Sequence, residues 1–211
     1  MNKKNPEYIK AHPWEFGVEV LRNIPLSEQD IIKYLGTGTP IYKYNELMLC
    51  KDIYELFGNA GYCIILIETK PNFGHWVCLR KNTRYGWTFI SFFDSYGGFP
   101  DKQKRYIGQT FLHSSNQHYN KLCELLYFAS CDEKRRTIVE FSETAFQNIN
   151  DSNLSTCGHW CCVFIESGLT VDEFREYIKK FDETNKDNLV VRIFFKDRSL
   201  NKPKKQKMTQ N

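Results

Sequence analysis

Apolar residues fall along this chain in short blocks of two kinds, one spaced for helices and one for strands. Behind Ser27, Ile31 to Leu35 has helical spacing, Asp30 completes a capping box with Ser27, and Gly36 stops the run, so Ser27 to Leu35 predicts a short helix. Asn45 to Phe57 predicts a second, with Leu47, Leu49, Ile53, Leu56 and Phe57 ahead of a terminal Gly58. Tyr62-Cys63-Ile64-Ile65-Leu66-Ile67 is apolar without a break, the pattern of a strand covered on both faces. His75 to Leu79 and Trp87 to Phe93 predict two more strands, joined by a polar turn from Lys81 to Gly86. Gly97 to Asn116 reads as loop with room for a short helix. A helix is expected over Tyr119 to Ser130 and a strand over Thr137 to Phe141. Cys157 to Ser167 predicts a buried helix stopped by Gly168, and Thr170 to Phe181 another, opened by a Thr170–Glu173 capping box. Leu189 to Phe195 is expected to be a final strand. Helices and strands mix without regular alternation, which favours α+β over a doubly wound sheet.

Composition narrows the class. The chain has 211 residues, 41% apolar, 15% aromatic and 26% charged, which suits one folded domain with a substantial core. No apolar run approaches the 18 or so residues of a membrane span, and nothing like a signal-peptide core follows Met1-Asn2-Lys3-Lys4-Asn5. A soluble protein of a reducing compartment is expected, with no membrane contact. Eight cysteines are too few for a disulfide scaffold of this length. The net charge of +4 belongs to the end of the chain. Residues 196–211 hold six of the 29 basic residues and one of the 25 acidic ones, leaving 23 and 24 in the body. The expected organisation is a domain over 1–195 and a basic tail over 196–211, either simply solvated or in contact with DNA.

The order His75, Asp94, Gln147, Cys157 carries the candidate chemistry. Cys157 follows the polar Asp151 to Thr156 and opens the apolar Trp160 to Ile165, a boundary that predicts a helix N-terminus, where free amides favour a thiolate. Gly158 beside it would let a substrate carbonyl approach the backbone. His75 is the candidate base and Asp94 its orienter, because adjacent strands can bring their ends together. Locally, Asp94 also fits a turn-capping role before Ser95-Tyr96-Gly97-Gly98. Gln147 and the Cys157 backbone amide are candidate oxyanion donors. His159 and His113 compete for the role of base; two residues from Cys157 on one helix, His159 should point away from it. Cys157, His159, Cys161 and Cys162 form a dense cluster without a C-x-x-C pair, a poor zinc site, so neither metal nor cofactor is expected.

With these residues the chain resembles the adenain-like viral maturation cysteine proteases of virophages and large DNA viruses, relatives of the SUMO-specific proteases. The likeness runs from about Pro25 to Phe195. It includes Pro25-Leu26-Ser27 with Asp30-Ile31, Glu68 to Asn72 leading into Gly74-His75-Trp76, Phe93 to Gly98 with Pro100-Asp101, and Thr156-Cys157-Gly158. The resemblance implies a papain-like fold in permuted order, His before Cys, around a central mixed sheet flanked by helices. It implies endoproteolysis of viral capsid and core precursors at small-residue, commonly Gly-Gly, sites during virion maturation, in the virion or the host's viral factory. Trp76 with Gly158 would line the narrow substrate cleft. Alternatives are a protease of ubiquitin-like proteins and a non-catalytic, basic-tailed virion protein. Two departures stand out: Asn148 to Asn153 lengthens the segment between Gln147 and Cys157, and His159-Trp160 follows Cys157-Gly158.

Overall fold

In the computed structural model, which describes residues 5–151 and 153–196, five strands form one sheet whose spatial order is the chain order. They are β1 (Ile41–Lys43), β2 (Tyr62–Lys70), β3 (Phe73–Arg84), β4 (Trp87–Phe93) and β5 (Thr137–Phe141). The β2–β3 and β3–β4 pairs are antiparallel, while β1 on β2 and β5 on β4 are parallel, so the sheet is mixed. Helices α1 (Pro6–Ala11), α2 (Val18–Leu21), α3 (Glu28–Leu35), α4 (Gln109–Ser114), α5 (Lys121–Cys131), α6 (Cys157–Ser167), α7 (Val171–Lys179) and α8 (Lys186–Phe194) surround it. The class is α+β with a mixed sheet flanked by helices.

Strand alternation gives the sheet two apolar faces. Ile64, Leu66, Trp76, Cys78 and Phe93 pack with α6, α8 and α3 on one side. Ile65, Ile67, Val77, Leu79, Ile90 and Phe92 pack with α5 and two 3-10 turns, Tyr44–Leu49 and Ile53–Phe57, on the other. Helix α6 is sealed between the sheet and α8: everything from Cys157 to Ile165 is buried. Each fully covered Trp160 or Phe164 contributes roughly 1.5–3 kcal/mol by leaving water.

Three expectations fail here. The helix foreseen over Asn45 to Phe57 is two 3-10 turns, because Cys50 is extended and Asp52 starts a new turn by capping Tyr54 N–H. The polar run from Lys81 is strand, not turn, and β3 continues to Arg84. Only Tyr85 and Gly86 make the hairpin loop, both with positive φ (52° and 76°), as a two-residue turn of this hand requires. Leu189 to Phe194 belongs to helix α8, with Phe195 as its C-cap, and not to a strand. Asn185 caps it by accepting from the Asp187 and Asn188 amides, and Leu189, Val190, Val191 and Phe194 are buried in the core shared with α6. Gly97 to Asn116 contains a 3-10 turn, Lys102–Tyr106, besides α4.

Among the described residues no helix is long and apolar enough to cross a membrane. Apart from Lys196, the basic tail lies outside the described residues.

The tightest backbone approach in the sheet lies next to His75. A Cβ on Gly74 would stand 2.0 Å from the Ile67 carbonyl oxygen, across the β2–β3 ladder. Gly74→Ala is therefore expected to destabilise the protein by about 1–3 kcal/mol in urea titration, the range for overpacking a closed site. An unchanged midpoint would mean that the hairpin is looser than described.

Candidate active site

The sheet delivers two of the candidate residues. Asp94 follows Phe93, which pairs with Cys78, so it falls opposite Val77, two residues from His75 and on the same side of the pleat. There Nε2 of His75 donates to Oδ1 of Asp94 at 2.7 Å, with Asp94 only 1% exposed. The same Oδ1 accepts the Tyr96 N–H at 2.8 Å, so Asp94 is both turn cap and imidazole partner. The Tyr96 ring stacks on His75, centroids 4.4 Å apart and planes within 7°. Burial, then the charges of Cys157 and Asp94, push the Tyr96 hydroxyl up to about 12, so it is neutral at pH 7.

Helix α6 delivers the third. Cys157 is its first residue, and its sulfur lies close enough to the His75 imidazole for the two to shift each other's ionisation. Thr156, the N-cap residue, makes no side-chain capping bond, so its hydroxyl does not take up the amides of the first turn. Burial pushes the Cys157 thiol up, but the hydrogen bond and charge of His75, with the backbone N–H groups of Trp76 and Gly158, outweigh it and hold the thiol below an ordinary cysteine. Burial likewise disfavours a charged His75. The Asp94 carboxylate, helped by the Cys157 sulfur, more than offsets that and holds His75 well above an ordinary histidine. The two groups thus shift in opposite directions, each favouring the charged form of the other.

Gln147 joins this group through Ser95, the residue after Asp94. Ser95 Oγ donates to Gln147 Oε1 at 2.9 Å, and Ser95 O accepts the Gln147 N–H at 2.9 Å. With its carbonyl oxygen engaged, Gln147 keeps its amide N–H groups as the free end. Phe146 seats the segment by packing on Phe93 and Trp160. The longer connection to Cys157 is held at Asn148, whose N–H donates to Asp187 Oδ2 at 2.9 Å, and at Asp151, 3.9 Å from Arg22.

Trp76 is buried and its indole N–H donates to Leu26 O at 3.1 Å. A Cβ on Gly158 would meet Trp76 and Leu26 at 3.1 Å, so glycine lets that ring lie on α6. Gly74 and Trp76, the neighbours of His75, line a groove of about 400 Å³ together with Leu26, Tyr42, Glu46 and Phe73. The competing histidines lie elsewhere: His159 packs edge-on against Phe194, where burial drives it down to about 3, and His113 stacks on His118. Cys161 Sγ donates to Trp76 O, and among the described residues no three metal-binding side chains are grouped. Sequence reasoning passed over Ser95, Tyr96 and Asp187 as contributors; nothing in their surroundings marks them before the chain is folded.

No protein-family model matches the chain. It is 33% identical over 174 residues to "Uncharacterized protein V9" of Sputnik virophage, across 81% of this chain and 94% of V9. Among solved structures it is similar to a de-sumoylating protease (12% identity, TM-score 0.38, 85% of this chain and 77% of that one). It is also similar to AvrA delL154 with IP6 and CoA (12% identity, TM-score 0.39, 94% of this chain and 66% of that one).

The opposite shifts at Cys157 and His75 fix the pH response. The thiolate persists as pH falls until the lowered Cys157 value is passed, while ordinary thiols are already protonated. At pH 6, iodoacetamide should label Cys157 ahead of Cys50, Cys63, Cys78, Cys161 and Cys162, whose thiols burial pushes up, as mapped by peptide mass spectrometry. Equal labelling of all six would contradict the lowering of Cys157.

Proposed function

The chain belongs to the family of Sputnik virophage protein V9, and on its site we propose that it is a cysteine endopeptidase working through Cys157, His75, Asp94 and Gln147. The observation that carries this reading is the buried His75–Asp94 hydrogen bond set beside Cys157 at the uncapped start of α6, where His75 lowers the thiol. The Cys157 sulfur attacks the scissile carbonyl carbon. The Cys157 backbone N–H and the Gln147 amide receive the oxyanion. His75 gives its proton to the departing amine, leaving a thioester, and then takes a proton from the water that hydrolyses it. Asp94 holds the ring in the orientation both steps use. This chemistry calls on no metal or cofactor.

By this reading the fold is the permuted papain-like arrangement of adenain and the SUMO-specific proteases, with His75 ahead of Cys157 in the chain. The substrates are viral capsid and core precursors, cut at small-residue sites in the virion or viral factory. The groove that Leu26, Gly74 and Trp76 line would receive the substrate, and residues without bulk would suit it. Residues 196–211 would tether the enzyme to DNA by charge, an attraction that should weaken steeply with salt.

Cys157→Ala should abolish cleavage of a capsid precursor. Cleavage that persists in that variant would remove the nucleophile, and a wild-type enzyme that cuts only a ubiquitin-like fusion would move the substrate class. Gln147→Ala should lower kcat by about 10²-fold or more with little change in KM, since it acts on charge that develops only during attack. Truncation after Phe195 should leave peptide cleavage intact and weaken DNA binding at low salt; unchanged DNA affinity would exclude the tail as tether.

A further inference from the structure

We infer that Asp187 is a positioning residue that sets both oxyanion donors at once, by tying the start of α6 to the segment that carries Gln147. The inference rests on the peptidase reading for its purpose, and on geometry alone for its existence. Asp187 lies in the first turn of α8 and is only 2% exposed. A buried carboxylate is costly unless its oxygens are satisfied. Here Oδ1 accepts the Thr156 hydroxyl at 2.6 Å and the Trp160 indole N–H at 2.9 Å, and Oδ2 accepts the Asn148 backbone N–H at 2.9 Å. All three donors are neutral groups that flank the catalytic residues, so the carboxylate works as a bracket and not as one half of an ion pair.

Each arm has a consequence at the site. Thr156 is the N-cap residue of α6, and a threonine there commonly uses its side-chain oxygen to cap the first-turn amides. Pointed at Asp187, it leaves the Gly158 and His159 amides uncapped and anchors the backbone just ahead of the Cys157 N–H. Trp160, one turn further on, fixes the rotation of the helix. Asn148 adjoins Gln147, whose own amide is held on the other side by Ser95 O. Gln147 is thus fixed from both flanks, and the carboxylate spans the base of the long connection between Gln147 and Cys157.

The two arms can be broken separately in the full-length protein. In Asp187→Asn, retention of the Thr156 and Trp160 bonds by the side-chain oxygen turns an amide donor towards the Asn148 N–H. Expected is a fall in kcat of about 10-fold with KM within about twofold, and a loss below about twofold when the same change is made in Gln147→Ala. Equal losses in both backgrounds would overturn the link to Gln147. Thr156→Val removes only the hydroxyl, and serves also if Asp187→Asn fails to fold. Its readout is the pH profile of Cys157 alkylation, which needs no substrate. The groups facing the sulfur are His75 from β3, Tyr96 from the loop after β4, and Cys161 and Cys162 on α6 itself. None of them is altered. Loosening the amides should move the midpoint upward by about half a unit or more. A profile that overlies the wild type, or moves down, would overturn the bracket. If peptide cleavage proves independent of Cys157, the peptidase reading fails, and the alkylation profile still decides whether Asp187 holds the helix start.

Discussion

A thiol and an imidazole shut away from water side by side are the constraint on which the site depends. Cys157, His75 and Asp94 are each at least nine-tenths buried, and burial alone would drive the Cys157 thiol and the His75 imidazole towards their neutral forms. Their contacts work the other way, since Asp94 raises His75 and His75 lowers Cys157. The backbone N–H groups of Trp76 and Gly158 lower Cys157 further. Stabilisation of this kind is shared, so the three groups rise or fall as a unit.

The scaffold can be understood as the means of holding that unit still. Two antiparallel ladders, β2–β3 and β3–β4, fix His75 and Asp94 on one side of the pleat, and the missing side chain at Gly74 lets the first ladder close beside His75. Helix α6 cannot slide, because every residue from Cys157 to Ile165 is buried against the sheet or α8. Stacked on the imidazole, Tyr96 restrains its tilt, while the Asp94 bond fixes its rotation. Rigid elements carry the thiol and the imidazole, and a loop pinned at Ser95 and Asp187 carries Gln147.

How much of this was legible in the sequence varied with how local the signal was. Helices α3 and α7 announce themselves by capping boxes, Ser27 with Asp30 and Thr170 with Glu173, and both boxes form. Helix α8 is hidden by Val190, Val191 and Ile193, which favour strands when read alone; the Asn185 cap and contacts with α6 override them. The polar half of β3 reads as turn because its pairing with β4 comes from the far end of the hairpin, at Tyr85 and Gly86. For the site, the order of His75, Asp94, Gln147 and Cys157 was enough to nominate the chemistry. Asp187 was not legible: an aspartate in the polar stretch Asp182 to Asn188 has no local mark, and its three donors lie 27 to 39 residues away.

The sheet's order, identical to the order of its strands in the chain, has a consequence for how the molecule comes into being. His75 and Asp94 are brought together by a hairpin of near neighbours, 19 residues apart, a contact that costs little loop entropy to make. Cys157 must return from 82 residues beyond His75, as counted along the chain, and dock as part of a helix that is buried along most of its length. Until that docking is complete, the thiol has neither partner nor backbone amides arranged around it and behaves as any other cysteine. One half of the site is thus made by a local contact and the other by a distant one, so the sulfur acquires its surroundings only when the distant contact closes.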